Sequence, residues 1–139
     1  MILLDTKVMS EPLRQAPEPR VIAWIDAQPM ETLFLSALTV AELRAGVALL
    51  PAGKRRIGLQ ENLEKRVIPL FAGRVLPFDL ACSQAYAALM AKAGAMGLAI
   101  STAGGYIAAI ALANGFAVAS RETSPFEAAG TTVINPWQG

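Results

Sequence analysis

The sequence predicts an α/β fold: one domain over residues 1–139, with a central parallel sheet flanked by helices on both faces. Short apolar runs such as Ile2–Leu4, Thr32–Leu38 and Phe116–Ser120 alternate with longer segments of helical spacing, the pattern of strands buried between two helical layers. The connections between these segments are short. With 139 residues and no linker, repeat or low-complexity run, the chain suits a single core.

Taken in order, Ile2–Leu4 reads as a buried strand ending at Asp5. A helical segment broken by Pro12, Pro17 and Pro19 follows, and Val21, Ile22, Trp24 and Ile25 form the apolar side of a helix that stops before Pro29. Thr32–Leu38 is the second strand. Thr39 with Glu42 three residues on has the form of a capping box, which starts the next helix at Thr39. Gly53–Leu70 reads as one charged amphipathic helix carrying Ile57, Leu59, Leu63 and Val67. Arg74–Phe78 is a strand, and Asp79 caps a helix in which Tyr86, Leu89, Met90, Ala93 and Met96 keep helical spacing. Another helix enters through Gly104-Gly105 and stops at Asn114-Gly115. Phe116–Ser120 and Thr132–Ile134 are the last strands.

Composition excludes much chemistry. The chain has no histidine, so Ser-His-Asp triads, Cys-His pairs and histidine zinc sites are unavailable. Cys82 is the only cysteine, which rules out an internal disulfide, suits a reducing cytosol and reads as a small buried apolar residue. With 12 basic and 11 acidic residues, the net charge gives no general pull on nucleic acid, and RNA contact would rest on local patches. The start MILLDTKV lacks the form of a signal peptide, and no apolar run approaches the roughly 20 residues that span a bilayer. The expectation is a cytoplasmic protein with no membrane partner.

In a parallel sheet, ligands bind beyond the carboxyl ends of the strands, where strand order reverses. Asp5 ends the first strand, Glu42 lies early in the helix after the second, and Glu122 follows FAVAS after Arg121. Acids distant in the chain thus converge on one edge. Carboxylates so gathered need a counter-cation or raised pKa values. Without His or Cys, a hard cation such as Mg²⁺ or Mn²⁺ suits them, and it can orient water for attack on a phosphodiester. Each acid also has a plain structural alternative: Asp5 as a turn former, Glu42 as a capping residue, Glu122 as a solvated loop acid.

Several stretches together resemble the PIN-domain family, in particular its VapC/FitB-like branch of toxins from bacterial type II toxin–antitoxin pairs. They are MILLDT, LSALTVAELRAGVALL around Glu42, IPLFAGRVLPFD, GYIAAIA and the closing NPW. The resemblance runs through essentially the whole chain. It implies a PIN fold, Mg²⁺- or Mn²⁺-dependent endoribonuclease activity, a homodimer, and a cognate antitoxin whose other half binds operator DNA. It also implies that Asp5, Glu42 and Glu122 are the catalytic, metal-holding acids, with Glu122 where relatives more often carry Asp or Asn. The family's third acid falls at Gly104. Lys7 stands where Asn is common, and Ser120 matches a small hydroxyl residue that accompanies the last acid.

Glycine at 104 removes one carboxylate from the expected set and leaves a helix start whose free N–H groups suit a phosphate or water. Lys7, if turned inward, would pair with Asp5 or Glu42. Glu122, one methylene longer than Asp, would reach toward the vacancy. These features keep a second reading beside the nuclease: a weakened or inactive PIN homologue that acts by binding its antitoxin. A plain phosphate binder using Gly104-Gly105 is a third. Lys54, Arg55 and Arg56, with Lys65 and Arg66, are candidate RNA contacts, or else a solvated face paired with Glu61 and Glu64. Trp24 and Trp137 read as packing residues rather than base-stacking ones.

Overall fold

The computed structural model describes residues 1–123, 126–127 and 130–138. Its five strands are β1 (Ile2–Leu4), β2 (Leu33–Ser36), β3 (Val75–Leu76), β4 (Ala117–Ala119) and β5 (Val133–Ile134). They form one sheet in the order β3-β2-β1-β4-β5, and every pairing is parallel. Strand order reverses between β1 and β4, whose register pairs Leu4 with Ala119.

Side chains alternate across the pleat, so Leu3 and Leu4, both fully buried, enter different cores. Leu4 joins Leu33 and Leu35 against Val8 and Met9 of α1 (Thr6–Ser10), Val21 of α2 (Pro19–Ala27), and Val40, Leu43 and Val47 of α3 (Ala37–Ala48). Leu3 joins Val118 against Cys82 of α5 (Leu80–Ala95) and Ile107, Ile110 and Ala111 of α6 (Thr102–Asn114). Helices therefore cover both faces, as the alternating pattern predicts. Each fully buried Leu or Ile contributes about 1.5–3 kcal/mol relative to exposure.

Several boundaries depart from the sequence reading. Thr32 closes a 3₁₀ turn by donating its hydroxyl to the Pro29 carbonyl at 2.7 Å, so β2 begins at Leu33. Its end is set by Ser36, whose Oγ accepts from the Thr39 N–H at 3.0 Å and turns the chain into α3 at Ala37. Thr39 is thus the third helical residue, not the cap, and the Thr39–Glu42 capping box is not formed. Glu42 lies in the second turn.

The helix predicted over Gly53–Leu70 is α4 (Lys54–Asn62), continued by a π turn at Leu63–Val67 and a 3₁₀ turn at Ile68–Phe71. Pro69 accounts for the change: it lacks an N–H, and its ring excludes the carbonyl four residues back. The third strand keeps only Val75–Leu76, the fourth Ala117–Ala119 and the fifth Val133–Ile134. Asp79 caps α5 as predicted, its Oδ1 accepting from the Cys82 N–H at 3.1 Å. Met96 falls past the end of α5 and is half exposed.

α6 also departs from the sequence reading. It begins at Thr102 rather than Gly104, because Ser101 caps it by accepting the Gly104 N–H at 3.1 Å. Gly105 is fully inside; a Cβ there would stand 3.1 Å from a Tyr86 ring carbon and 3.4 Å from the Met90 sulfur, so glycine lets α5 and α6 approach closely. Gly115, at φ 71°, ends the helix in the left-handed region.

Candidate functional site

The site begins where β1 ends. Asp5 caps α1 and is half buried at the reversal of strand order, its own N–H donating to the Ala119 carbonyl of β4 at 2.9 Å. Its two carboxylate oxygens have separate partners. Oδ1 accepts from the Thr6 N–H at 2.7 Å, and Oδ2 accepts from the Ser120 hydroxyl at 2.9 Å. Ser120 is fully buried and also accepts the Glu122 N–H at 3.2 Å, which ties the loop after β4 to Asp5.

Glu42 reaches the same place from α3. The Thr6 hydroxyl donates to Glu42 Oε1 at 2.8 Å and lies 3.1 Å from the hydroxyl of Thr39. Asp5 and Glu42 are therefore joined through one residue, and Asp5 and Glu122 through another. Burial pushes the Asp5 carboxyl above its ordinary range. The bonds from Ser120 and Thr6 work against that rise, and the charges of Glu42 and Glu122 add to it. All three acids thus belong to one electrostatic neighbourhood. Among the described residues, no three His, Cys, Asp or Glu side chains are close enough to form a ready metal cage.

Lys7 is exposed on α1, and among the described residues it forms no ion pair with Asp5 or Glu42; the expected inward pairing is not formed. Gly104 does not leave an open helix start, since its N–H is taken by Ser101. A Cβ at 104 would lie 2.7 Å from Ser101 Oγ and 3.4 Å from the Phe126 ring. The chain carries no Asp or Glu between Asp79 and Glu122.

The basic cluster divides. A groove of about 200 Å³ runs from Thr6 and Glu42 to Arg14 and Arg55. Arg56 turns away, donating to the Leu50 carbonyl at 3.4 Å, and Lys54 is exposed. Glu64 pairs with Arg44 at 2.7 and 3.0 Å rather than with the basic run. A larger, apolar groove of about 390 Å³, lined by residues including Leu13, Ile22, Ile25 and Phe71, lies apart from the three acids. Trp24 packs on the core, and Trp137 does so beneath the Arg121 guanidinium, 5.1 Å from the ring centroid.

Sequence reasoning missed the roles of Thr6, Ser36 and Ser101, and it read Thr39 as the cap of α3 rather than as a hydroxyl in contact with Thr6. For Ser36 and Ser101 a signal was present, since Ser before a helical run is a favoured cap. Nothing local marked Thr6.

A chain whose parallel sheet gathers acids at the β1/β4 reversal matches the PIN domain family over residues 2–130, and it belongs to that family. It is 64% identical to the plasmid stability protein StbB of Pseudomonas syringae pv. tomato and 61% to the VapC ribonuclease Y4jK of Sinorhizobium fredii. It is 53% identical to the toxin FitB of Neisseria gonorrhoeae, with 99% of both chains covered in all three comparisons. Among solved structures, FitAB bound to an IR36 DNA fragment superposes with a TM-score of 0.96 at 51% identity, over 99% of this chain and 96% of that one.

Proposed function

We propose that this chain is the toxin of a type II toxin–antitoxin pair and a metal-dependent endoribonuclease. The observation that carries this reading is the convergence on Asp5: Ser120 links it to the Glu122 backbone, and Thr6 links it to Glu42. The relatives called VapC ribonuclease and toxin FitB support the same reading.

The donor set fits a hard divalent cation. It consists of carboxylate and hydroxyl oxygens, in a chain without histidine, around a half-buried acid whose carboxyl is pushed above its ordinary range by burial first and by two neighbouring charges after it. Mg²⁺ is commonly held by one or two carboxylates, completed by water and phosphate, so a closed cage of three acids is not required. Asp5 and Glu42 would hold the ion, with Glu122 reaching in from its loop. Bound there, the cation supplies an oriented water and offsets charge on a phosphodiester under attack. Ser120 and Thr6 keep Asp5 fixed, and Arg55 lines the groove in which an RNA backbone would run. Lys54 and Arg56 would contribute less.

The relative solved as FitAB on DNA supports a cognate antitoxin with a DNA-binding half as the partner. We place this pair, with the toxin as a homodimer, in the cytoplasm; no helix among the described residues is long and apolar enough to cross a membrane.

Gly104 favours one second reading. The place of the family's third acid is taken up by the Ser101 hydroxyl and the Phe126 ring, which suits a copy of weakened activity that acts by binding its antitoxin. Cleavage of labelled RNA in Mn²⁺, with EDTA and Asp5→Asn as controls, separates the two. The nuclease reading requires cleavage that both controls abolish. A folded chain that leaves RNA intact in Mn²⁺ would leave only the binding role.

A further inference from the structure

We propose that Thr6 is a positioning residue that holds Asp5 and Glu42 in register with its backbone and its side chain at once. This rests on the nuclease reading above. Thr6 donates its N–H to Asp5 Oδ1 at 2.7 Å and its hydroxyl to Glu42 Oε1 at 2.8 Å, joining the acid that caps α1 to one on α3.

The direction of that hydroxyl follows from counting protons. An ionised carboxylate only accepts, so the single Thr6 hydroxyl proton is committed to Glu42. The contact of 3.1 Å between the Thr6 and Thr39 hydroxyls must then take its proton from Thr39. Thr39 in turn accepts from the Ser36 hydroxyl at 3.3 Å, while its N–H goes to Ser36 Oγ at 3.0 Å. The donors therefore run one way, from Ser36 through Thr39 and Thr6 to Glu42. Ser36 and Thr39 are fully buried, which fixes the far end of the chain. Glu42 itself is exposed and, among the described residues, has no other side-chain partner. Without the Thr6 hydroxyl, its carboxylate would lose the one bond that holds it beside α1 and would sample solvent.

Thr6→Val removes the hydroxyl at nearly constant shape, Thr6→Ala removes it without a branched side chain, and Thr6→Ser restores it. The measurements are Mn²⁺ affinity by calorimetry, RNA cleavage, and melting without metal. Thr6→Val and Thr6→Ala are expected to weaken Mn²⁺ binding about tenfold, the loss of one hydrogen bond to a charged group. They should lower kcat more than they raise KM, with metal-free melting changed by no more than about 3 °C. Thr6→Ser should return affinity to within about threefold of the parent. Parent-like Mn²⁺ affinity in Thr6→Val and Thr6→Ala, or a serine variant as weak as they are, overturns the proposal and leaves the nuclease reading intact. Absence of Mn²⁺ binding by the unaltered protein overturns both.

Discussion

The Ser120 hydroxyl donates to Asp5 Oδ2 at 2.9 Å across 115 residues of chain, and Ser120 Oγ in turn accepts the Glu122 N–H at 3.2 Å. Parallel pairing of β1 with β4 makes this possible, because Leu4 and Ala119 are partners and the residues after each emerge side by side. The fold thus sets an acid from one strand against a hydroxyl from its neighbour, at the reversal where such sheets bind ligands.

Ser120→Ala removes that donor and leaves the Glu122 N–H without its acceptor. A hydrogen bond to a charged group contributes about 1.5–3 kcal/mol, so metal-dependent RNA cleavage should fall by about tenfold or more. Single-turnover cleavage in Mn²⁺ measures this, and an unchanged rate would remove Ser120 from the site.

The raised pKa of Asp5 has a signed consequence for stability. In the unfolded chain the carboxyl titrates near its ordinary value of about 3.9; in the fold it titrates higher. Its contribution is therefore fully present below pH about 4 and is lost as pH rises through the folded value. Asp5→Asn should flatten the decline of metal-free melting temperature above pH 4 and abolish stabilisation by Mn²⁺. Melting curves across pH, with and without the ion, check both.

Gly104→Asp places an acid where the resemblance to the family implies one, and the added Cβ meets Ser101 Oγ at 2.7 Å. The serine can turn aside, and an acid in the first turn favours the helix dipole. Mn²⁺ affinity is expected to rise about tenfold or more. Adding Ser101→Ala should preserve the gain if the serine is the only obstruction. Calorimetry that finds no gain in either variant would mean that position 104 does not face the ion.

Arg55 and Arg56 should differ. Arg55 lines the groove with Glu42, whereas Arg56 is turned to the Leu50 carbonyl. Arg55→Ala should weaken RNA binding and reduce the slope of log affinity against log salt by about one, with Arg56→Ala nearly silent. Equal effects from the two would dissolve the proposed RNA track.

Lys7→Asn should alter Mn²⁺ affinity by no more than about twofold. Lys7 is exposed and unpaired with the acids, and a solvated charge at the rim is strongly screened. A larger rise in the same titration would show that Lys7 suppresses the site.

The layered sheet was legible from the sequence because its determinants are local: apolar runs of strand length between helical spacings. Asp5, just past β1, and Glu42, early in the helix after β2, were legible as candidates for the same reason, with Glu122 in the loop that follows β4. Element ends were less so. Ser36 and Ser101 compete with residues three positions on for the role of cap, and only the observed bonds decide between Ser36 and Thr39, or between Ser101 and the glycines. Thr6 was invisible because its role depends on Glu42 and Thr39, each more than 30 residues away.

Both the nuclease reading and the role of Thr6 require that Asp5, Glu42 and Glu122 share one cation. Crystals soaked in Mn²⁺ and measured for anomalous scattering test it directly. A peak within coordination distance of Asp5 and Glu42, on the side facing Glu122, is the expected result. A map with no peak there at saturating Mn²⁺, or with its peak at another surface, would contradict it.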